Sequence, residues 1–581
     1  MDSGFFEKNL LALSKRNSDL SARLFAATSH KYTFLRSSSG EIIPAIAGLG
    51  RSLHSTVDPK REARRLVSYA GEDASAGFWV FLGLGAGFTQ EEALKTAGVC
   101  RVMVIEYDAG GVAQLFRYRD YTPLLEDPRF TLLVDPDPDL IEKTILEMYR
   151  PALYGGIKTL PLRPRIDIDK NFFTEAADAV QRAVEKTSAD YSVQAHFGMR
   201  WFANIIRNLE AAGGQKGSEG LFGLQTVGLR TEGSLPLHAA ICAAGPSLDA
   251  QIPLLAEQIE KKGSQKLIVI STDTAFPALL SRGVKPDAVV SIDCQHISYH
   301  HFMGADCRNI PLFLDISGPP ILAGFSDFPF FFSGGHPLAL YISRCWRHIP
   351  LLDTSGGNVT YACLSLAENL GARQITVYGA DFSYPDGKIY TNGSYIFQLF
   401  AGKQNRLTPL EAQVSTLLFR NPFLLPEDAG DSHGNRRYET AILRFYRKAF
   451  EKKASGMNAE VSAAQGFGVP LVLHGKNRNM HFDEKETGFF AVGGAEKSPT
   501  EFLRQYRADI AALPLPSAGG AGTYVENLDT TEGHIAATLL PLAAAIKRRR
   551  QELDVSQLIG EVKRYSTGEI DKVLGLWTGR D

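Results

Sequence analysis

A series of short, almost uninterrupted apolar runs, separated by helix-like segments, constrains the fold of this chain most. Runs rich in valine and isoleucine, with little polar alternation, are typical of strands that are buried on both faces of a sheet. Helices between such strands return the chain over the sheet, so that neighbouring strands run parallel. The sequence therefore predicts an α/β fold with two Rossmann-like domains and mostly parallel sheets.

The first alternation predicts an N-terminal Rossmann-like domain with a helical lead-in over residues 1–215. A helix is predicted over residues 59–70, because a proline stands at its start and apolar residues recur at helical spacing. The predicted strands are "FWVFLGLGAGF" (78–88), "RVMVIEYD" (101–108) and "FTLLVD" (130–135). Residues 170–212 are predicted to be largely helical, and the polar, glycine-rich stretch 213–220 is the predicted linker.

The second alternation predicts a central domain over residues 216–440. Its predicted strands are "LHAAICAAG" (237–245), "KLIVIST" (266–272), "DAVVSID" (287–293), "IPLFLD" (310–315), "PFFFSG" (329–334) and "QITVYGAD" (374–381). From about residue 440 the apolar spacing becomes helical. The sequence therefore predicts a helical C-terminal domain over residues 441–581.

Composition excludes several classes of protein. At 581 residues the chain is too long for one core, and 44% hydrophobic and 22% charged residues are ordinary for a globular protein. A formal net charge of −2 argues against a general nucleic-acid or membrane-surface binder. We expect no signal peptide and no membrane insertion, since no apolar run is long enough. Six dispersed cysteines without a C-x-x-C pair predict a cytoplasmic protein without structural zinc.

The first strand of the central domain ends on Gly245, Pro246 and Ser247, just before a helix-like segment. Ligands of parallel α/β sheets bind beyond the carboxyl ends of the strands. Because glycine lacks a Cβ, Gly245 would let backbone N–H groups close on an anion at the helix start, and Ser247 could add a hydroxyl donor. A tight strand–helix turn with a capping serine and no ligand explains these residues equally well.

The other strand ends of the central domain also carry small or polar residues. They are Ser271, Thr272, Asp273, Asp293, Gln295, Asp315, Ser317, Gly318, Gly379, Asp381, Ser383 and Tyr384. Each of these residues alone is more often a cap or a turn, but together they favour one polar crevice. A second glycine turn, formed by Ser355, Gly356, Gly357 and Asn358, could present N–H groups to a phosphate or carboxylate. An N-capped helix start is an equally good interpretation of that turn.

The first domain has a G-x-G-x-G turn of its own, at Gly83, Gly85 and Gly87. Glu106 ends the next strand, and an acid at about this spacing can bind a ribose. The alternatives are a nucleotide site and a purely structural Rossmann-like domain.

Histidines near the crevice are candidate general bases, because the imidazole pKa lies near neutrality. The candidates are His296, His300, His301, His336 and His433. His300 and His301 are adjacent and cannot share one helical face. The sequence has no H-E-x-x-H, no P-loop and no G-x-S-x-G motif, which removes the zincin, P-loop and α/β-hydrolase interpretations.

Four motifs recur in a fixed order: "AAGPSLD", "GVKPDAVVSID", "SGGNVTYACLSLAENLGA" and "YGADFSYPDGK". In that order the chain resembles the motility accessory factor (Maf) glycosyltransferases of flagellated bacteria. The first domain resembles the family's N-terminal domain in "LHSTVDPKREA", "FLGLGAGF" and "VIEYD". The resemblance covers roughly residues 50–450, and its specificity lies in the ordered set of motifs.

The resemblance implies a transferase that moves a nonulosonic acid, of pseudaminic or legionaminic type, from a CMP-activated donor to Ser or Thr hydroxyls of flagellin. It implies a role in flagellar assembly and motility. The central domain would be catalytic and similar to bacterial sialyltransferases, which need no metal ion or other cofactor. Flagellin and the sugar nucleotide would be the partners, and no nucleic acid would be involved.

The resemblance also implies roles for individual residues. Gly245, Pro246, Ser247 and Leu248 would hold the nucleotide, with Thr272 and Asp273 beside the ribose or base. The sugar nucleotide would face Gly356, Gly357 and Gly379–Asp381, with Gln295 and Ser383 nearby, and Ser355–Asn358 or Ser317–Gly318 would bind the sugar carboxylate. His433, Asp293 and Asp381 would be catalytic, with His433 as the general base. The chain departs from the family where "VSIDCQ" keeps Asp293 but lacks the usual proline, and where "DGKIYTNG" lacks a histidine.

Two other functions fit parts of the sequence. The "GPSLD…PD…D" skeleton also resembles the archaeal pterin diphosphokinases, which would use ATP and Mg²⁺ held by strand-end carboxylates. A non-catalytic flagellin chaperone or adaptor, with the C-terminal helices as its docking surface, is the other alternative.

Overall fold

The structure is a computed structural model that describes residues 4–71, 76–213, 237–261, 267–428, 436–473, 497–516, 524–525 and 527–578. The chain forms two compact units. The first consists of Met1–Met199 with Asp509–Thr567, and the second of Arg200–Ala508 with Gly568–Asp581. Each unit is described below by itself.

Residues 4–213 alternate between strands and helices. The strands are β1 Tyr32–Arg36, β2 Ile42–Ile46, β3 Phe78–Leu82, β4 Arg101–Glu106, β5 Phe130–Val134 and β6 Ile157–Pro161. The helices are α1 Phe5–Ser14, α2 Ser18–Ala26, α3 Pro59–Gly71, α4 Phe88–Lys95, α5 Ala109–Tyr118, α6 Thr122–Leu125, α7 Pro138–Met148, α8 Pro151–Tyr154, α9 Arg163–Ile166 and α10 Lys170–Gly213.

The rest of the chain holds the second alternation and the C-terminal helices. Its strands are β7 Leu237–Cys242, β8 Leu267–Thr272, β9 Ala288–Ser291, β10 Leu312–Asp315, β11 Pro329–Phe332, β12 Ala372–Tyr378, β13 Tyr384–Pro385, β14 Leu425–Asp428, β15 Arg436–Glu439 and β16 Glu460–Ala463. Its α-helices are α11 Leu248–Glu260, α12 Phe276–Ser281, α13 Pro337–Cys345, α14 Val359–Asn369, α15 Tyr395–Ala401, α16 Leu410–Phe419, α17 Ala441–Gly456, α18 Pro499–Ala512, α19 Thr530–Arg549 and α20 Val555–Thr578. Two 3₁₀ helices span His296–His301 and Pro320–Phe325.

The first unit is built on a parallel four-stranded sheet in the order β5-β4-β3-β6. Strand β3 is buried along its whole length, as expected of a central strand with helices on both faces. An antiparallel hairpin, β1–β2, stands apart from this sheet and was not predicted. The predicted strands β3, β4 and β5 and the long helix α10 are confirmed.

The second unit is built on a parallel seven-stranded sheet in the order β11-β10-β9-β8-β7-β12-β16. All six predicted strands belong to it, so the predicted α/β fold class is confirmed. Strand β16 lies in a range predicted to be helical, and that prediction is wrong for this segment. It is a four-residue edge strand of which Val461 alone is buried, so its sequence lacks the apolar run by which the inner strands were recognised.

Helices α17 to α20 confirm a helical C-terminal region. Helix α17 belongs to the second unit and α19 to the first. The predicted boundary at residue 441 therefore stays a prediction, and most of the predicted linker 213–220 lies outside the described residues. In the described part of the chain, no helix combines the length and the apolar composition needed to cross a membrane.

Candidate functional site

The carboxyl ends of all seven strands meet at one edge of the central sheet, because the strands are parallel. We call it the site edge. The chain runs outward on one side from β7 through β8 to β11, and returns on the other side with β12. The strand order thus reverses between β7 and β12, which is where open α/β sheets bind their ligands.

The turn after β7 is packed against the end of β12. The backbone N–H of Gly245 donates to the carbonyl of Gly379 at 2.9 Å, and the N–H of Ser247 donates to Asp381 Oδ2 at 2.8 Å. A Cβ on Gly245 would lie 2.4 Å from each of these two oxygens. Glycine is therefore required here because two strand ends approach each other, whether or not a ligand also binds.

Residues 464–473 cover the same turn from outside. The Phe467 N–H donates to Ser247 Oγ at 2.7 Å, and Gln251 Nε2 donates to the carbonyl of Gln465 at 2.9 Å. The backbone N–H and the hydroxyl of Ser247 are thus both engaged within the chain. Pro246, Ser247 and Leu248 are buried, so nucleotide binding by them stays a prediction that would require this covering segment to move.

The Asp381 carboxylate holds the turn after β7 through the hydrogen bond that it accepts from the Ser247 N–H. Burial raises its pKa, although the hydrogen bonds from Ser247 and from the backbone of Gly468 act in the opposite direction. Ser383 donates its hydroxyl to the Asp381 carbonyl at 3.0 Å. A catalytic role for Asp381 stays a prediction.

An aspartate–histidine pair stands at the end of β8. Asp273 Oδ2 lies 3.2 Å from His301 Nδ1, and Asp273 also accepts a hydrogen bond from Ser291 Oγ at 2.7 Å. The Thr274 N–H donates to the other carboxylate oxygen at 2.7 Å. Burial alone would raise the pKa of Asp273, but His301 and these hydrogen bonds together lower it. The site edge thus holds a buried carboxylate beside a histidine.

Asp293 lies close enough to this pair to sense its charge. Its carboxylate accepts the Gln295 N–H at 2.8 Å. Burial and the negative charge of Asp273 raise the pKa of Asp293, against the effect of the Gln295 hydrogen bond. Asp293 and Gln295 are only partly buried, so both can meet a ligand.

Three tyrosines also lie at the site edge, near the Asp273–His301 pair or near the glycine turn before α14. The ring of Tyr395 lies 4.5 Å from that of His301, and Tyr390 lies 6.2 Å beyond Tyr395, between ring centroids. Tyr446 stands beside Gly357, where an added Cβ would lie 3.0 Å from its ring. The sequence analysis missed these three tyrosines; two of them lie just past the D-G-K turn, which was the available signal.

The predicted residues after β10 make hydrogen bonds within the chain. Asp315 accepts the N–H groups of Ser317 at 2.8 Å and Gly334 at 3.0 Å. The buried carbonyls of Ser317 and Gly318 accept hydrogen bonds from Asn204 and Asn208 of α10. These contacts hold the β10 turn closed, so carboxylate binding by Ser317–Gly318 stays a prediction.

The turn before α14 is more open. Asn358 Oδ1 accepts the Tyr361 N–H at 3.0 Å and caps the helix, as the structural interpretation expected. Ser355 donates its hydroxyl to Asp353 at 2.7 Å. Ser355 and Gly357 are exposed and Asn358 is partly exposed, so this turn keeps surface for an anionic ligand.

Exposure therefore divides the predicted site residues into two groups. Those that keep exposed surface are Gly245, Asp293, Gln295, Ser355, Gly357 and Asn358. Those that are buried are Pro246, Ser247, Leu248, Thr272, Asp273, Ser317, Gly318, Gly356, Gly379, Asp381 and Ser383. The first group can touch a ligand directly, and the second shapes the site edge. His433 lies outside the described residues.

The glycine turn of the first unit is filled by the chain itself. Glu106 accepts the Leu84 N–H at 2.7 Å and forms an ion pair of 2.8 Å with the fully buried Arg165. His54 Nε2 accepts the Ala86 N–H at 2.9 Å, and a Cβ on Gly85 would lie 2.5 Å from that nitrogen. The side chains of Arg165 and His54 therefore occupy the space beside Glu106 and the glycine turn in which a ribose and a phosphate would bind. The geometry favours the structural interpretation of this turn.

Comparisons with known proteins find a family model and sequence relatives that match parts of the chain. Residues 230–387 match the family model of 6-hydroxymethylpterin diphosphokinase MptE-like proteins. An uncharacterized protein of Treponema pallidum (strain Nichols) is 39% identical over 126 residues, which is 22% of this chain and 43% of that protein. A second uncharacterized protein of that organism is 29% identical over 182 residues, which is 31% of this chain and 78% of that protein. The chain thus covers less than half of the first of these relatives.

One solved structure matches almost the whole chain. The Maf glycosyltransferase from Magnetospirillum magneticum AMB-1 superposes on 99% of this chain and 95% of its own, with a TM-score of 0.60 and 13% identity. This chain has the Maf fold. The resemblance predicted from four ordered motifs is confirmed at the level of the fold.

Proposed function

We propose that the protein is a glycosyltransferase that moves a nonulosonic acid, of pseudaminic or legionaminic type, from CMP to serine or threonine hydroxyls of flagellin. The fold shared with a Maf glycosyltransferase over 99% of the chain is the observation that carries the proposal. The ordered motifs support it, because they lie at the strand ends and helix starts of the site edge. Cytoplasmic location and a role in flagellar assembly are parts of this proposal.

The exposed residues of the site edge suit an anionic donor. The turn Ser355–Asn358 opens the first turn of α14, where backbone N–H groups and the helix dipole favour a phosphate or a sugar carboxylate. Gly357 has a positive φ of 73°, which a residue with a side chain rarely adopts. The backbone here can therefore approach a ligand closely. Such dipoles would stabilise the departing CMP without requiring a cation.

A mass measurement tests the proposal. Purified full-length protein is incubated with unmodified flagellin and, in separate reactions, with CMP-activated pseudaminic, legionaminic and N-acetylneuraminic acid. We expect the intact mass of flagellin to rise by one or more sugar residues with at least one donor, in the presence of EDTA. Omission of the donor is the control. No gain in mass with any donor would contradict the proposal.

The family-model match keeps a diphosphokinase as the second candidate. That reaction needs carboxylates that can face a metal–nucleotide complex. Asp273 is paired with His301, and Asp381 is held by the β7 turn, which leaves Asp293 as the partly exposed carboxylate among these three. The geometry therefore favours the transferase. Turnover of ATP with 6-hydroxymethylpterin, abolished by EDTA, would instead support the diphosphokinase.

The same transfer reaction tests the alternative that the protein is a non-catalytic flagellin adaptor. An adaptor would bind flagellin and leave its mass unchanged in a reaction that contains only the protein, donor and flagellin. Gain of mass in that defined mixture separates a transferase from an adaptor that recruits another enzyme.

A further inference from the structure

We propose that His301, with the Asp273 carboxylate beside its Nδ1, is the general base that takes the proton from the acceptor hydroxyl. This inference rests on the proposed function and concerns a step that the sequence analysis assigned to His433. It comes from the positions of the two side chains at the site edge.

The two nitrogens of the His301 ring have different surroundings. Nδ1 is buried and lies 3.2 Å from Asp273 Oδ2, but it makes no hydrogen bond within the described residues, so its contact with Asp273 is a charge contact. Within the described part of the chain, Nε2 accepts or donates no hydrogen bond and is not among the buried unpaired atoms. One nitrogen is therefore turned to the carboxylate, and the other reaches solvent-accessible space.

Hydrogen bonds hold the Asp273 carboxylate in place, so its negative charge stays beside the histidine. Its carboxylate receives hydrogen bonds from Ser291 and Thr274, and its own N–H donates to the carbonyl of Val290 at 3.0 Å. Both side chains of the pair are at most 8% exposed. The carboxylate acts on the ring through its charge: it favours hydrogen on Nδ1, the nitrogen nearer to it, and therefore a lone pair on Nε2.

The surroundings of the pair place it where the reaction would occur. The partly exposed Tyr395 lies against the His301 ring, and Asp293 is near enough that its charge acts on His301. His301 follows β9, as do the partly exposed Asp293 and Gln295. A hydroxyl that reaches Nε2 is therefore at the site edge.

The proposed step balances as follows. The serine or threonine oxygen attacks the anomeric carbon of the donor sugar, and a new carbon–oxygen bond forms. The bond from that carbon to the phosphate oxygen breaks, and its electron pair leaves with CMP. The hydroxyl proton moves to Nε2 of His301, and Asp273 stabilises the resulting imidazolium. The imidazolium then releases the proton to water.

The pair predicts a particular pH profile. The charged groups that face His301 are Asp273 and Asp293, while Tyr395 contributes its ring and His300 is the neighbour on the same 3₁₀ helix. Burial lowers the pKa of His301, but the two carboxylates outweigh it and raise the pKa above its ordinary value. The neutral base then exists only at higher pH, so kcat/KM should fall as pH drops through this raised pKa.

The experiment compares His301→Asn, Asp273→Asn and the control His30→Asn, at an exposed histidine of the first unit, in the full-length protein. Transfer to flagellin is followed by intact mass, and CMP binding and thermal unfolding are measured on the same samples. We expect His301→Asn to lower kcat by about 10²–10⁴-fold while CMP still binds. Asp273→Asn should lower the rate and also shift the acid limb of kcat/KM to lower pH. His30→Asn should behave as the unmodified protein.

The possible outcomes distinguish failure of the His301 assignment from failure of the proposed transferase function. Full transfer by His301→Asn with an unchanged pH profile would overturn the assignment, as would a loss confined to His433→Asn. If His301→Asn does not fold, the unmodified protein decides, because a rate that is flat toward acid pH contradicts a histidine base. Absence of both CMP binding and transfer in the unmodified protein would overturn the proposed function, and the assignment with it.

Discussion

At the scale of single residues, the most informative position is Gly245. Its sequence context indicated a close approach by something, and the structure shows that the approaching group is the end of β12. The Gly379 carbonyl and the Asp381 carboxylate each lie 2.4 Å from the place where a Cβ would stand. Close packing alone therefore requires glycine at this position, whether or not a ligand binds there.

We expect Gly245→Ala to destabilise the protein by about 1–3 kcal/mol, because a backbone oxygen and a buried carboxylate would have to shift. Thermal unfolding measures the change. Gly456→Ala is the matched control, since it lies at the end of α17 with open space around it, and its stability should be unchanged or slightly higher. Equal unfolding temperatures for the two variants would contradict this account of the β7 turn.

The candidate site could be predicted from the sequence only in part. The strand-end rule placed Asp273, Asp293 and Asp381 at one edge correctly, because strand ends follow from apolar runs that any single sequence displays. The sequence could not show which of these polar side chains would pair with another side chain of the protein and so be less available to a ligand. The pairing of Asp273 with His301 depends on how the 3₁₀ helix after β9 folds back, and no local pattern encodes that contact.

At the scale of elements, the same limit applies to short edge strands. The inner strands of both sheets were recognised because burial on two faces demands continuous apolar residues. The small sheet β13-β15-β14 and the edge strand β16 have no such run, and in the hairpin β1–β2 the apolar run of β2 contains Pro44, a residue that argues against a strand. Their position is set by the sheet or turn that they join, so tertiary context decides their conformation.

The glycine turn after β3 gives an element-scale prediction, because neutral His54 holds it. Burial, with a smaller contribution from Arg119, lowers the pKa of His54 to about 4. A histidine whose folded-state pKa is depressed stabilises the protein above its unfolded pKa of about 6.5 and loses that contribution as pH falls. We expect stability to decrease by roughly 3 kcal/mol between pH 6.5 and 4 from this group alone. Chemical denaturation across this pH range measures the decrease.

His54→Gln is the informative variant for that measurement, because its amide oxygen can still accept the Ala86 N–H and does not titrate. Its stability should depend less steeply on pH than that of the unmodified protein. The buried His336, whose pKa is lowered to about 3 by burial, remains in both proteins and cancels in the comparison. Identical pH dependence in the two proteins would show that His54 does not hold the turn.

At the scale of the whole molecule, the first unit is completed by distant sequence. Residues Asp509–Thr567 belong to it, and the carbonyl of Pro541 in α19 lies 1.9 Å from the place of a Cβ on Gly198 in α10. We therefore expect Gly198→Ala to push α19 away and to destabilise the first unit by at least about 1–3 kcal/mol. Hydrogen exchange should then accelerate in β3 and β4 and stay unchanged in β7 and β8 of the second unit. Gly533→Ala, in the same helix α19 but with open space around it, is the control. If residues 441–581 instead fold as an independent domain, Gly198→Ala would leave exchange in β3 and β4 as it was.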